Sequence, residues 1–380
     1  MKKYGLLLLT AFILAGCWDA EEPERMYYAH AMGVDYVDGQ FEVYVQVIDF
    51  INIAKSEQPQ PDATQAEVGH ARGETINEAV FNLYHMLDRR LYWGHLTFVV
   101  FSNAALEKGR ANTVVNALIR YRETRYQIWL YGTEEKMSDI MLATPVLNKA
   151  ISLSSLAAPL NSFDQESDVP PVNIRQYIIR LNEPNYTVDL PYVQLKENWE
   201  SHKGQKERVD LKGIAVLSQT ELKGIFTSEE IIGTPFMTNE TKRTQITYSV
   251  KDKPLSVVLE DIKVDVKSKP VGDSFQFDVT VKFNAVLSEF RTEVTEKEIT
   301  ETIKKEVEKR IKETYHKALE KDIDIYRLSN YAYKQHVKEW KRIEETGHVP
   351  LDEDSLSSVK VYIEQLSPAR KDFSETIKSH

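Results

Sequence analysis

One cysteine, Cys17, serves all 380 residues. No internal disulfide is possible, so the fold must rest on burial and hydrogen bonding alone. The position of that cysteine is as informative as its solitude. Met1-Lys2-Lys3 precedes an apolar run from Gly5 to Leu14, and Leu14-Ala15-Gly16-Cys17 closes it. A basic start, a short apolar stretch and a small-residue cleavage site describe an export signal rather than a folded element. The run is shorter than the roughly 20 apolar residues that a spanning helix needs. Leu-Ala-Gly-Cys is a lipobox, in which the cysteine thiol takes a diacylglyceryl group. Residues 1–16 are therefore expected to be a lipoprotein signal peptide, and Cys17 the lipidation site. The mature chain would carry diacylglycerol and an N-acyl chain such as palmitate on Cys17, and would meet the lipid bilayer through that anchor. Each buried methylene contributes about 0.8 kcal/mol, so several acyl chains hold where one is marginal.

The rest of the chain is long enough for two or three domains. Its 42% hydrophobic and 10% aromatic content supports substantial cores. The formal charge of −10 argues against nucleic acid as a partner, which calls for basic stripes. It also argues against flat adhesion to anionic headgroups.

The pattern along the chain predicts a mixed α/β (α+β) architecture in several domains. Residues 17–26 are polar and acidic and read as a tether. A first α/β domain is expected over 27–145, a middle domain over 146–242 and a C-terminal domain over 243–380. Strands at 28–37 and 40–50 flank Asp38-Gly39, a type I′ hairpin signal. Residues 54–66 read as a loop and 67–72 as a strand. A helix is predicted over 73–90, a strand buried on both faces over 96–101, a helix over 104–121 and a strand over 127–131. This alternation implies a mixed sheet. The prolines and serines of 143–171 weaken the pattern. A helix at 173–181, a strand at 189–195, a charged loop at 198–209 and a hairpin at 211–217 and 221–226 follow. Ser228 reads as a helix N-cap. In the last third, strands at 244–250, 255–267 and 274–288 precede a long helix. Thr295 and Glu298 form a capping box for it, with Val294 and Ile299 at staple spacing. Ile299, Ile303, Val307 and Ile311 make a narrow stripe expected to face a sheet. A second helix over 325–345, with Leu328, Val337 and Trp340 inward, and a strand over 359–366 complete a β-β-β-α-α-β unit.

Sequence signatures of catalysis are missing: there is no P-loop, GxGxxG or HExxH, and no cysteine cluster for a metal. The nine histidines are scattered, and His336 reads as a satisfied interfacial residue. The expectation is a non-enzyme without metal or cofactor. The charged stretch 301–317 reads as a solvated helix face with i,i+4 pairs. One local cluster, Asp88-Arg89-Arg90-Leu91-Tyr92-Trp93-Gly94-His95, concentrates aromatic and basic residues. Arg89, Arg90, Tyr92, Trp93 and His95 are candidate partner contacts, since Trp, Tyr and Arg anchor interfaces. The bland alternative is a helix-to-strand turn, with Gly94 at positive φ and Trp93 covering the core.

Several of these segments resemble the Ger(x)C family, the C subunits of spore germinant receptors. Cys17-Trp18-Asp19 with Glu22 resembles that family's mature start. Gly73-Glu74-Thr75 and the run from Arg89 to Leu96 resemble its central core, with Trp93 where another aromatic is common. Gly213-Ile214-Ala215-Val216-Leu217 with Lys223-Gly224 resembles its central hairpin, and residues 322–324 with Trp340 its C-terminal pattern. Pro23 departs from the usual isoleucine or leucine of the tether.

The resemblance implies a three-domain lipoprotein on the outer face of the spore inner membrane. It would act without catalysis beside two integral membrane partners, the A and B subunits, in a receptor for small nutrients. Whether a small nutrient ligand touches this chain is left open by the resemblance. A competing reading is a solute-binding lipoprotein that captures a ligand between lobes and delivers it to a transporter. That reading requires an interdomain cleft of several hundred Å³.

Overall fold

The computed structural model describes residues 26–48, 66–148, 150–202, 204–250, 253–287 and 295–368. The expected signal peptide, Cys17, the tether up to residue 25, the loop at 54–65 and Val294 lie outside the described residues.

Strands β1 (Met26–Val37) and β2 (Gln40–Ile48) form the expected hairpin. Asp38 and Gly39 have φ of 52° and 84°, the two positive values a type I′ turn requires. β3 (Ala66–Gly73) pairs with β2. Helix α1 (Ile76–Tyr84) starts at Thr75, whose hydroxyl accepts the Glu78 N–H at 3.1 Å. It ends before residue 90, because Arg90–Tyr92 forms a short strand, β4. β4 fills the edge of β1 at Met26–Tyr28, which β5 (Phe98–Ser102) leaves open. The helix expected over 104–121 is two: α2 (Asn103–Leu106) and α3 (Arg110–Leu118). Lys108 and Gly109 take left-handed φ values between them. Then come β6 (Trp129–Thr133), α4 (Met137–Leu142), α5 (Pro159–Gln165), β7 (Val172–Asn173) and α6 (Ile174–Asn182).

β8 (Thr187–Ser201), β9 (Gly204–Ser218) and β10 (Leu222–Thr227) extend the same sheet. Its order is β10-β9-β8-β6-β5-β1-β2-β3, with β4 and β7 at its margins. The stretch 198–209 is therefore strand, not loop. That hairpin tip projects with both faces exposed, so it carries no apolar alternation to announce it. The sheet runs across residue 145. It is covered on both faces, as the β5 sequence implies: Val99 and Phe101 point to one core, Phe98 and Val100 to another.

Ser228 caps no helix; its hydroxyl donates to the Lys212 carbonyl. The turn behind it locks onto the C-terminal unit. That unit contains β11 (Arg243–Val250), β12 (Lys253–Val271), β13 (Ser274–Leu287), α7 (Glu296–Leu319), α8 (Leu328–Gln335), α9 (Val337–Ile343) and β14 (Leu356–Pro368). Its sheet order is β11-β12-β13-β14, the last pair parallel. The capping box of α7 is present in both directions, Thr295 with Glu298. Ile299, Ile303, Val307 and Ile311 are buried in the core between α7 and this sheet. Each such side chain contributes about 1.5–3 kcal/mol. On the outer face, Lys304–Glu301, Lys309–Glu313, Arg310–Glu306 and Lys312–Glu308 pair as expected.

The helix expected over 325–345 breaks at His336, with φ −140° and ψ 59°. His336 Nε2 lies 2.9 Å from the Ser268 carbonyl, as an interfacial histidine should. The break turns Val337 outward, 40% exposed, while Trp340 stays inside. Thr314 joins the two units: its hydroxyl donates to the Glu230 carbonyl at 3.0 Å and accepts the Gly233 N–H at 3.0 Å. A Cβ on Gly233 would sit 2.5 Å from the Arg310 carbonyl, so only glycine lets the α7 backbone come this close.

Candidate functional site

The 89–95 segment divides between surface and core. Arg89, Arg90 and His95 are exposed, Tyr92 is half-buried, and Trp93 is 6% exposed. Trp93 is fixed from three sides. Its indole N–H donates to the Tyr84 hydroxyl at 2.7 Å, its backbone N–H to Glu123 Oε2 at 3.0 Å, and its ring stacks on Tyr121. Glu123 Oε1 meets Arg90 at 3.1 Å, so one carboxylate aligns the buried tryptophan and the exposed arginine. The Arg89 guanidinium lies 5.6 Å from the Tyr27 ring centroid. Tyr28, Tyr92 and His95 form a triangle of edge-on rings. Burial, then the charge of Arg125, pushes the His95 imidazole below its ordinary pKa. Gly94 is needed for a different reason than the turn signal implies. Its φ is not positive; instead a Cβ would meet the Tyr92 ring at 2.5 Å.

Arg89, Arg90 and Arg122 rim a hollow of about 520 Å³, floored by Trp93 and Tyr121. This hollow lies at the edge of the sheet where β1 enters, since Met26 and Arg90 are paired in register.

A second concavity, which the sequence did not single out, lies between the large sheet and the C-terminal unit. It holds about 350 Å³. Asp189 of β8 and Arg180 of α6 form one wall, Arg327, Asn330 and Lys334 along α8 another, and Ile214, Met237, Ile325 and Tyr326 supply apolar surface. Asp324 accepts the N–H groups of Leu328 and Ser329, both at 2.8 Å, and so starts α8. Arg327 donates to the Thr187 carbonyl at 2.5 Å and meets Glu183 at 3.5 Å. Burial raises the Asp189 carboxyl pKa, and Arg180 and Arg327 oppose it. No short motif marks these residues; they come from separate elements, as far apart in the chain as Arg180 and Lys334. Among the described residues, no group of three His, Cys, Asp or Glu is placed to hold a metal ion.

The order of these elements matches known proteins over most of the chain. Residues 19–195 match the family model of the spore germination protein N-terminal domain. Residues 212–363 match that of the spore germination B3/GerAC-like C-terminal domain. This chain is a member of the Ger(x)C family. It is 23% identical to spore germination protein KC of Bacillus subtilis (strain 168), over 90% of this chain and 89% of that one. It is 20% identical to spore germination protein B3 of the same organism, over 76% and 74%. The crystal structure of the GerBC protein superposes with a TM-score of 0.54 at 14% identity, covering 89% of this Ger(x)C chain and 97% of that chain. The mixed α+β fold is thus that of the family, as its sequence pattern leads one to expect.

Proposed function

We propose that this Ger(x)C chain is the lipid-anchored, non-catalytic C subunit of a spore nutrient germinant receptor, working beside integral A and B membrane subunits. The observation that carries the reading is where β1 begins. Met26 follows Cys17 by nine residues, and nine residues reach at most about 30 Å. Met26 pairs with Arg90. An anchor on Cys17 therefore holds the exposed Arg89, Arg90 and His95 close to the bilayer, where membrane partners are met at high effective concentration. No described helix is long and apolar enough to cross a membrane; in this proposal the acyl chains on Cys17 supply the attachment.

Two substitutions test this in spores. Cys17→Ala should release the protein from the membrane fraction and weaken the germinant response while leaving the fold intact. A photo-crosslinker at Arg90 should capture a membrane subunit, whereas one at Lys360, on the far sheet, should not. An unchanged germinant response in Cys17→Ala spores, or equal capture from both positions, would refute the proposal. The solute-binding reading has one observation in its favour, the cavity between the two units.

A further inference from the structure

Most charges around the cavity between the two sheets have partners. Arg180 meets Glu240 at 3.8 Å and Arg327 meets Glu183 at 3.5 Å. Asp168 accepts the Thr244 hydroxyl at 2.9 Å, and Asp324 is taken up by the start of α8. Among the described residues, the Asp189 carboxylate has neither a hydrogen bond nor an ion pair. It is half-buried and lines the cavity. The amide oxygen of Asn330, on the facing wall, also has no partner. A carboxylate taken out of bulk water is costly unless a donor, best a charged one, pairs with it.

We infer that this cavity is a binding site for a small organic monoamine, whose ammonium group pairs with Asp189 and whose carbon skeleton lies on Ile214, Met237 and Tyr326. The chemistry narrows the ligand in four ways. Arg180 and Arg327 offset part of the Asp189 charge from a distance, and a charged donor pairs with a carboxylate more strongly than a neutral one. A hard divalent cation needs about six or more oxygen ligands, and here only one carboxylate is uncommitted. The volume, near the lower end for ligand pockets, admits a small molecule only. A second ammonium group would face Arg180, Arg327 and Lys334 with no further uncommitted carboxylate to receive it. The site does not depend on the germination role, and its failure would leave that role untouched.

Isothermal titration calorimetry of the full chain tests the site. n-Butylamine and phenethylamine are each compared with the matching alcohol, n-butanol and phenethyl alcohol. The expected result is saturable binding of at least one amine, with its alcohol at least tenfold weaker. Asp189→Asn should weaken that amine at least tenfold. Thr238→Trp, which fills the cavity and leaves Asp189 in place, should abolish binding, while Glu197→Gln on the exposed hairpin should change nothing. Circular dichroism confirms that each variant is folded, and the two cavity variants guard against loss of either one. Saturable binding by neither amine, alcohols binding within twofold of their amines, or undiminished amine binding in a folded cavity variant would overturn the assignment.

Discussion

Replacing Thr314 with valine keeps the outline of the side chain and removes its hydroxyl. That hydroxyl sits in a fully buried position and serves two backbone groups, the Gly233 N–H and the Glu230 carbonyl. Neither group gains another partner when it goes. A buried polar group left unpaired costs about 1–3 kcal/mol, so the pair amounts to roughly 2–6 kcal/mol. Thr314→Ser is the control. It keeps both hydrogen bonds and loses one buried methyl, about 1 kcal/mol. A burial-only account ranks the two the other way, since valine is the larger and more apolar. Urea titration followed by circular dichroism measures both midpoints, and an unchanged slope licenses their conversion to free energy. If Thr314→Val loses no more stability than Thr314→Ser, the seam between the two units does not depend on these hydrogen bonds and the reasoning fails.

Three further outcomes follow from the N-terminal half. Buried His30 donates to Gln46 Oε1 at 2.7 Å, and burial holds its pKa below the ordinary 6.5. Its depressed value means that the unfolded chain takes up a proton first as pH falls. Stability is complete above about 6.5 and is lost below it, by no more than about 1.4 kcal/mol per pH unit for one proton. His30→Gln should flatten that part of the stability–pH profile; an identical slope in both proteins counts against it. Trp93→Phe should lose the bond to Tyr84 and about 1 kcal/mol, and Trp93→Ala about 3–5 kcal/mol, both read from denaturation midpoints. Arg90→Ala, at an exposed residue whose ion pair with Glu123 lies at the surface, should change stability by less than about 1 kcal/mol.

Where the sequence alternated or repeated, the fold was legible. Phe275, Phe277, Val279, Val281 and Phe283 announce β13, the 299–311 stripe announces α7, and Asp38-Gly39 announces its turn. These signals are local and large. The errors fell where local preference was weak and a distant partner decided. Arg90-Leu91-Tyr92 becomes strand only because β1 offers an open edge 64 residues earlier, at Met26. The 198–209 ribbon is held by cross-strand bonds, not by an apolar face. The 89–95 cluster was visible as composition, but its division into a buried Trp93 and an exposed Arg90 depends on Tyr84, Tyr121 and Glu123. Asp189 gave no sign at all, because its importance lies in what does not contact it.

β9 belongs to two cores at once. Ala215 and Leu217 enter the core under the first sheet, and Ile214 and Val216 enter the core of the C-terminal unit. Four successive side chains thus rivet the halves together through one backbone. A hinge at this place would have to open both interiors simultaneously. Any ligand lying against Ile214 would therefore touch the strand that both cores share.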